Sequence, residues 1–99
     1  MRIAIFGGTG QVGAMITQKV IQEFPDAEIL SCSRSGSGLK GFAFNVFEKD
    51  WSSLGKLDVI INSVGIIEEK GENTFEKIHI LVIKKIIKER ISLGSPKII

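Results

Sequence analysis

The sequence predicts an α/β fold of three layers, with a parallel sheet in strand order 3-2-1-4-5 between helices. Three observations predict it. Short apolar segments alternate with segments of helical periodicity along the chain. The first apolar segment, residues 2–6, runs straight into a glycine-rich turn that opens a helical pattern. A second apolar segment then follows at the spacing of a βαβ unit. At 99 residues the chain forms one small domain, 1–99. A domain of this size buries only about two-thirds of its unfolded surface, so its core is modest.

Each element has a local reason. Residues 2–6 are apolar apart from Arg2, as suits a central parallel strand covered on both faces. Residues 11–24 form the first helix, with Val12, Ile16, Val20 and Phe24 as its expected core stripe and Pro25-Asp26 as its stop. Residues 28–33 form the second strand. The Gly/Ser segment 35–41 is a loop, and it is too short for an ordinary crossover between parallel strands. Its helix is therefore expected to be lost or reduced to a turn. Residues 42–46 form an edge-like third strand, and 50–54 a short helix or turn carrying Trp51. Residues 58–64 form the fourth strand. A polar loop, 68–73, leads to a long helix over 74–92, which Gly94, Ser95 and Pro96 terminate. Residues 97–99 begin a fifth strand, and the sheet is expected to break off there.

Within the first turn, Gly8, Gly10 and Gly13 fit the spacing G-x-G-x-x-G. The spacing alone is weak; its position between a strand and a helix gives it weight. The first glycine allows a tight turn, and the second lets the backbone approach a pyrophosphate. Gly13 lets the helix pack closely on the strand. A pyrophosphate would then rest on free N–H groups at the helix N-terminus. The ligand is expected at the carboxyl ends of the strands, at the switch point between strands one and four.

Composition excludes several classes. Net charge is +2, too small to argue for nucleic acid. No apolar run reaches the roughly 18 residues of a membrane span. Cys32 stands alone, so no internal disulfide forms, and no metal-ligand spacing exists. The N-terminus lacks the pattern of a signal peptide, and a cytoplasmic setting is expected by default.

The segment Gly7-Gly8-Thr9-Gly10-Gln11-Val12-Gly13 resembles the nucleotide fingerprint of the short-chain dehydrogenases/reductases, a Rossmann-type family. It is most similar to the extended and atypical branches, the epimerase/dehydratase-like proteins and NAD(P)-binding regulators. Asn62-Ser63-Val64-Gly65 resembles the end of the family's fourth strand, which borders the nicotinamide ribose. Asn45-Val46 resembles an Asp-hydrophobe pair that contacts adenine; asparagine departs from the aspartate but still accepts from an exocyclic amine. Ile78-His79-Ile80 falls where the family often has Val-Asn-Val. The resemblance implies a dinucleotide cofactor and a cofactor half of an oxidoreductase or epimerase. The family's catalytic Tyr-x-x-x-Lys lies beyond strand five, and this chain contains no tyrosine. The chain is therefore expected to be an N-terminal portion of a longer protein, inactive alone. A substrate would bind only with the missing half. A non-enzymatic redox-sensing regulator is the alternative, for which a missing tyrosine is no loss.

Cofactor choice rests on Ser33-Arg34-Ser35. NAD sites place an acid about 20 residues after the glycines, on the ribose 2′-OH. No acid stands here, and Arg34 could pair with a 2′-phosphate, assisted by two hydroxyls. NADP is thus expected over NAD. Arg34 could also be an exposed loop residue, or stack on adenine. Ser63 could touch the ribose or bond to buried backbone. His79 reads as a polar helix position rather than a catalytic group. Cys32 reads as a buried strand residue. Lys84, Lys85, Lys88 and Arg90 read as a solvated helix face. On the same helix Phe75, Ile78, Leu81, Val82, Ile83, Ile86, Ile87 and Ile91 form a stripe too wide for one sheet face. In the family this helix pairs with its copy, which implies a homodimer through 74–92.

Overall fold

The computed structural model describes residues 1–8, 10–47, 50–64 and 75–99. Five parallel strands run in the order β3-β2-β1-β4-β5, the order the sequence predicts. They are β1 (Arg2–Phe6), β2 (Glu28–Ser33), β3 (Gly41–Ala43), β4 (Val59–Asn62) and β5 (Lys97–Ile98). Helix α1 (Gln11–Glu23) covers one face and α2 (Phe75–Glu89) the other. A single 3₁₀ turn, Ser52–Leu54, stands where the short helix 50–54 was expected. The expected loop 68–73 and the helix start at Thr74 lie outside the described residues, as do Thr9 and Gly65.

Strand alternation sends side chains to two cores. Ala4 and Phe6 of β1, Leu30 and Cys32 of β2, and Ile60 of β4 face α2. There they pack with Val82, Ile86, Leu93, Phe44, Val46, Trp51, Leu54 and Leu57. Ile3, Ile5 and Ile29 face α1 and pack against Val20. The third strand is shorter than expected. Phe44 and Val46 lie beyond its ladder, yet both are buried in the α2-side core. Phe44 keeps one bond to β2, its N–H donating to the Ser33 carbonyl at 2.7 Å, and burial past the end of the ladder looks like a strand in sequence, which explains the overestimate.

The stripe on α1 differs from the expected one. Val12 and Phe24 are exposed, while Gly13, Thr17 and Val20 are buried. Ile16 and Val20 pack on the core as expected, but at the turn end Gly13 and Thr17 take the inward positions, so a glycine and a hydroxyl face the sheet there. On α2 the excess width is real. Val82 and Ile86 point inward, whereas Ile80, Leu81, Ile83, Ile87 and Ile91 are exposed.

The crossover from β2 to β3 is residues 34–40, with no helix in it. The sheet beneath it is small and polar: Ser31 pairs in register with Gly41, and Ser33 with Ala43. Gly36, at φ 69°, lies so close that a Cβ there would stand 2.8 Å from the Ala43 nitrogen. The loop thus lies flat where a helix would stand.

At the opposite end of the sheet Arg2 ties the strand starts together. Its Nε meets Glu28 Oε2 at 2.9 Å, its Nη1 donates to the Leu54 and Lys56 carbonyls, and its backbone N–H donates to Asp58 Oδ2 at 2.7 Å.

Candidate functional site

Strand register fixes which residues meet at the carboxyl end. Phe6 pairs with Cys32 of β2 on one side and with Asn62 of β4 on the other. The residues just beyond each strand therefore start from one level: Gly7-Gly8, Ser33-Arg34-Ser35 and Ser63-Val64. This is the switch point, since β1 is followed by α1 on one face of the sheet and β4 by α2 on the other. Asn45 and Val46 follow β3 at the next position along the edge.

The turn is hooked onto β2, since the Gly7 and Gly8 N–H groups both donate to the Cys32 carbonyl, at 3.2 and 3.0 Å. Gly7, at φ 84°, makes the tight bend. The role expected for Gly8 thus belongs to Gly7. Gly8 serves close packing instead: a Cβ there would overlap Ser31 Oγ and lie 3.1 Å from the Ser31 carbonyl carbon. Gly13 has the role expected of it, because a Cβ would run into the Gly7 carbonyl. Gly10 is the N-cap of α1, and its N–H donates to the Gly7 carbonyl at 3.1 Å. It brings no side chain, and the first turn of α1 holds no acid. Gln11 and Val12, in that first turn, are exposed. The first backbone N–H groups of a helix lack intrahelical partners, and the macrodipole makes that end attractive to anions.

The remaining candidates divide. Arg34 and Ser35 are exposed, and Ser33 Oγ accepts from the Gly36 N–H at 3.0 Å, which shapes the loop. Ser35 and Ser37 share a hydroxyl contact of 2.8 Å. Asn45 Oδ1 accepts from the Phe47 N–H at 3.0 Å, closing a local turn and leaving one lone pair. Val46 is a core residue packed under the sheet, not an open wall. Asn62 Oδ1 accepts from the Val64 N–H at 3.1 Å, and Val64 leans on the α2-side core. Ser63 is buried and donates to the Phe6 carbonyl, so it braces the turn.

Cys32 is buried, and desolvation pushes its thiol up to about 12, so it stays protonated and inert. The charged face of α2 is only partly solvated. Lys85 pairs with Glu89 at 3.5 Å and lies 5.8 Å over the Trp51 ring, and Arg90 Nε donates to the Pro96 carbonyl at 3.1 Å.

Sequence reasoning missed Thr17 and Ser31, which hold Gly13 and Gly8. The signal was present as two polar residues on otherwise inward-facing positions. It also missed a cavity of about 390 Å³ on the α1 flank, between Ala14, Met15 and Gln18 of the helix and Ser37, Gly38 and Leu39 of the crossover. No cluster suited to a metal ion occurs among the described residues, and no helix of the described residues is long and apolar enough to cross a membrane.

No protein-family model matches the chain, and no curated protein does. Among solved structures the chain is similar to a Burkholderia pseudomallei protein described as "Putative exported protein". The TM-score is 0.76 at 20% identity, over 99% of this chain and 45% of that one. At that identity the likeness shows the fold alone, and this chain spans less than half of that structure's length. The expected cytoplasmic setting is corrected by this finding. It rested on a default, the similar structure carries an export description, and the cytoplasmic assignment is withdrawn.

Proposed function

We propose that this chain is a dinucleotide-binding domain that receives the cofactor pyrophosphate at the N-terminus of α1. The observation that carries this reading is Gly10 as a bare N-cap, in an acid-free first turn, at the switch point beside β4. The adenosine half would run along the ends of β2 and β3, past Arg34, Ser35 and Asn45. The absence of an acid at 33–35 and the exposed Arg34 support NADP over NAD. When bound, the nicotinamide would supply hydride chemistry. This chain's own residues would bind and orient it.

The resemblance to short-chain dehydrogenases and epimerases supports the cofactor half of such a protein. The alternative, a redox-sensing regulator without catalysis, is supported by the lack of tyrosine and by the commitment of the Ser63 proton to Phe6. The exposed isoleucine line on α2 is proposed as the seat of a second copy of the chain, which would cover Ile83 and Ile87.

Calorimetric titration with NADPH and with NADH tests the reading. Binding of NADPH, abolished by Gly10→Val while the circular dichroism of the fold is kept, is the expected result. Silence with both cofactors at millimolar concentration overturns it. Arg34→Ala is expected to weaken NADPH by about 1.5–3 kcal/mol and to leave NADH nearly unchanged, the loss for a hydrogen bond to a charged group. Equal losses would mean that Arg34 stacks on adenine.

A further inference from the structure

Among the described residues, the buried polar side chains are Thr17, Ser31 and Ser63, each 2–3% exposed. All three are gathered at the glycine turn, although Thr17 comes from α1, Ser31 from β2 and Ser63 from just beyond β4. Thr17 Oγ1 donates to the Gly13 carbonyl at 2.8 Å. A carbonyl only accepts, so this bond uses the Thr17 proton. The 3.2 Å contact between Thr17 Oγ1 and Ser31 Oγ must then be donated by Ser31. Ser31 Oγ in turn fills the space that a side chain at Gly8 would take. A line of hydroxyls therefore runs from the α1 backbone at Gly13, through Thr17 and Ser31, to the turn at Gly8. Ser63 braces the other flank through Phe6, with a longer contact of 3.4 Å to the Gly7 carbonyl.

We propose that the Thr17–Ser31 hydroxyl pair is a positioning device for the anion-binding turn. It fixes the distance between Gly8 and the first turn of α1, on which the free N–H groups converge. The inference rests on the dinucleotide reading. Replacing both partners of a buried hydrogen bond by apolar groups of similar shape is nearly neutral for stability. What the pair contributes is therefore read in the geometry of the turn rather than in the stability of the fold.

The test uses the full chain and the double variant Thr17→Val/Ser31→Ala. Three quantities are followed: the thermal midpoint, NADPH affinity by calorimetry, and amide exchange at Gly8 and Gly10, whose N–H groups are bonded, by NMR. With the midpoint close to wild type, the dissociation constant is expected to rise about tenfold, and exchange at the turn by a similar factor, as for one lost positioning bond. Exchange in β1 and β4 should stay as it was. Thr17→Ser alone, which keeps both hydroxyls, should leave affinity and exchange at their wild-type values. If the double variant fails to fold, Ser31→Ala alone is read by the same criteria. Wild-type affinity or wild-type turn exchange in the folded variant overturns the inference while the dinucleotide reading stands. A wild-type chain that binds neither NADPH nor inorganic pyrophosphate overturns both.

Discussion

On the face of the sheet turned to α2, the Phe6, Phe44 and Trp51 rings meet at centroid distances of 5.3–5.8 Å, with Trp51 edge-on to both others. On the face turned to α1, the corresponding area holds one helix and a flat seven-residue crossover, and near the turn the contacts are hydroxyls. Large aromatic rings bury much area and favour edge-on packing, so the α2 face supplies most of the cohesion. The α1 face is thinner, and its polar contacts specify geometry around Gly8 and Gly13. A parallel sheet is normally covered on both faces by helices. Here the cover over β2 and β3 shrinks to a loop because Ser31, Ser33, Gly41 and Ala43 leave little apolar surface to hide.

The largest expected effect breaks the aromatic face. Trp51→Ala should cost about 3–5 kcal/mol, the range for deleting a buried aromatic side chain, measured by urea unfolding. A loss below 1 kcal/mol would show that cohesion does not reside there.

A pH experiment sharpens the same contrast. Cys32 lies on the α2 face, and its thiol is pushed up from 9.0 to about 12 by burial. The folded chain thus holds this proton after the unfolded chain has released it. The contribution is complete below pH 9 and fades as pH rises from 9 towards 12. By pH 10 the loss is expected to be about 1.4 kcal/mol, one pKa unit. Cys32→Ala should lack this component; an identical pH profile in both proteins would refute the assignment.

The smallest effect is expected on the outer surface of α2. Ile87→Lys should change monomer stability by no more than about 0.5 kcal/mol, as for an ordinary surface site. If a second copy sits on this helix, sedimentation should show the wild type as a dimer and this variant as a monomer. A monomeric wild type would remove the second copy from the picture.

Sequence alone determined the strand order, because alternating periodicities and short connections admit few right-handed topologies. It also located the turn, since a strand followed by closely spaced glycines and a helix is a local pattern. The loss of the crossover helix was legible too, from loop length and Gly/Ser content. Residue roles within the turn were not. That Gly7 takes the bend, that Gly8 makes room for Ser31, and that Val46 lies in the core depend on contacts between residues distant in the chain. Of the α1 stripe, Ile16 and Val20 were legible but the turn end was not: apolar spacing counts hydrophobic residues, whereas the sheet beside the turn accepts Gly13 and Thr17. Tertiary structure decided these points because burial of a glycine or a hydroxyl is favourable only when a specific neighbour fills its space or takes its hydrogen bond.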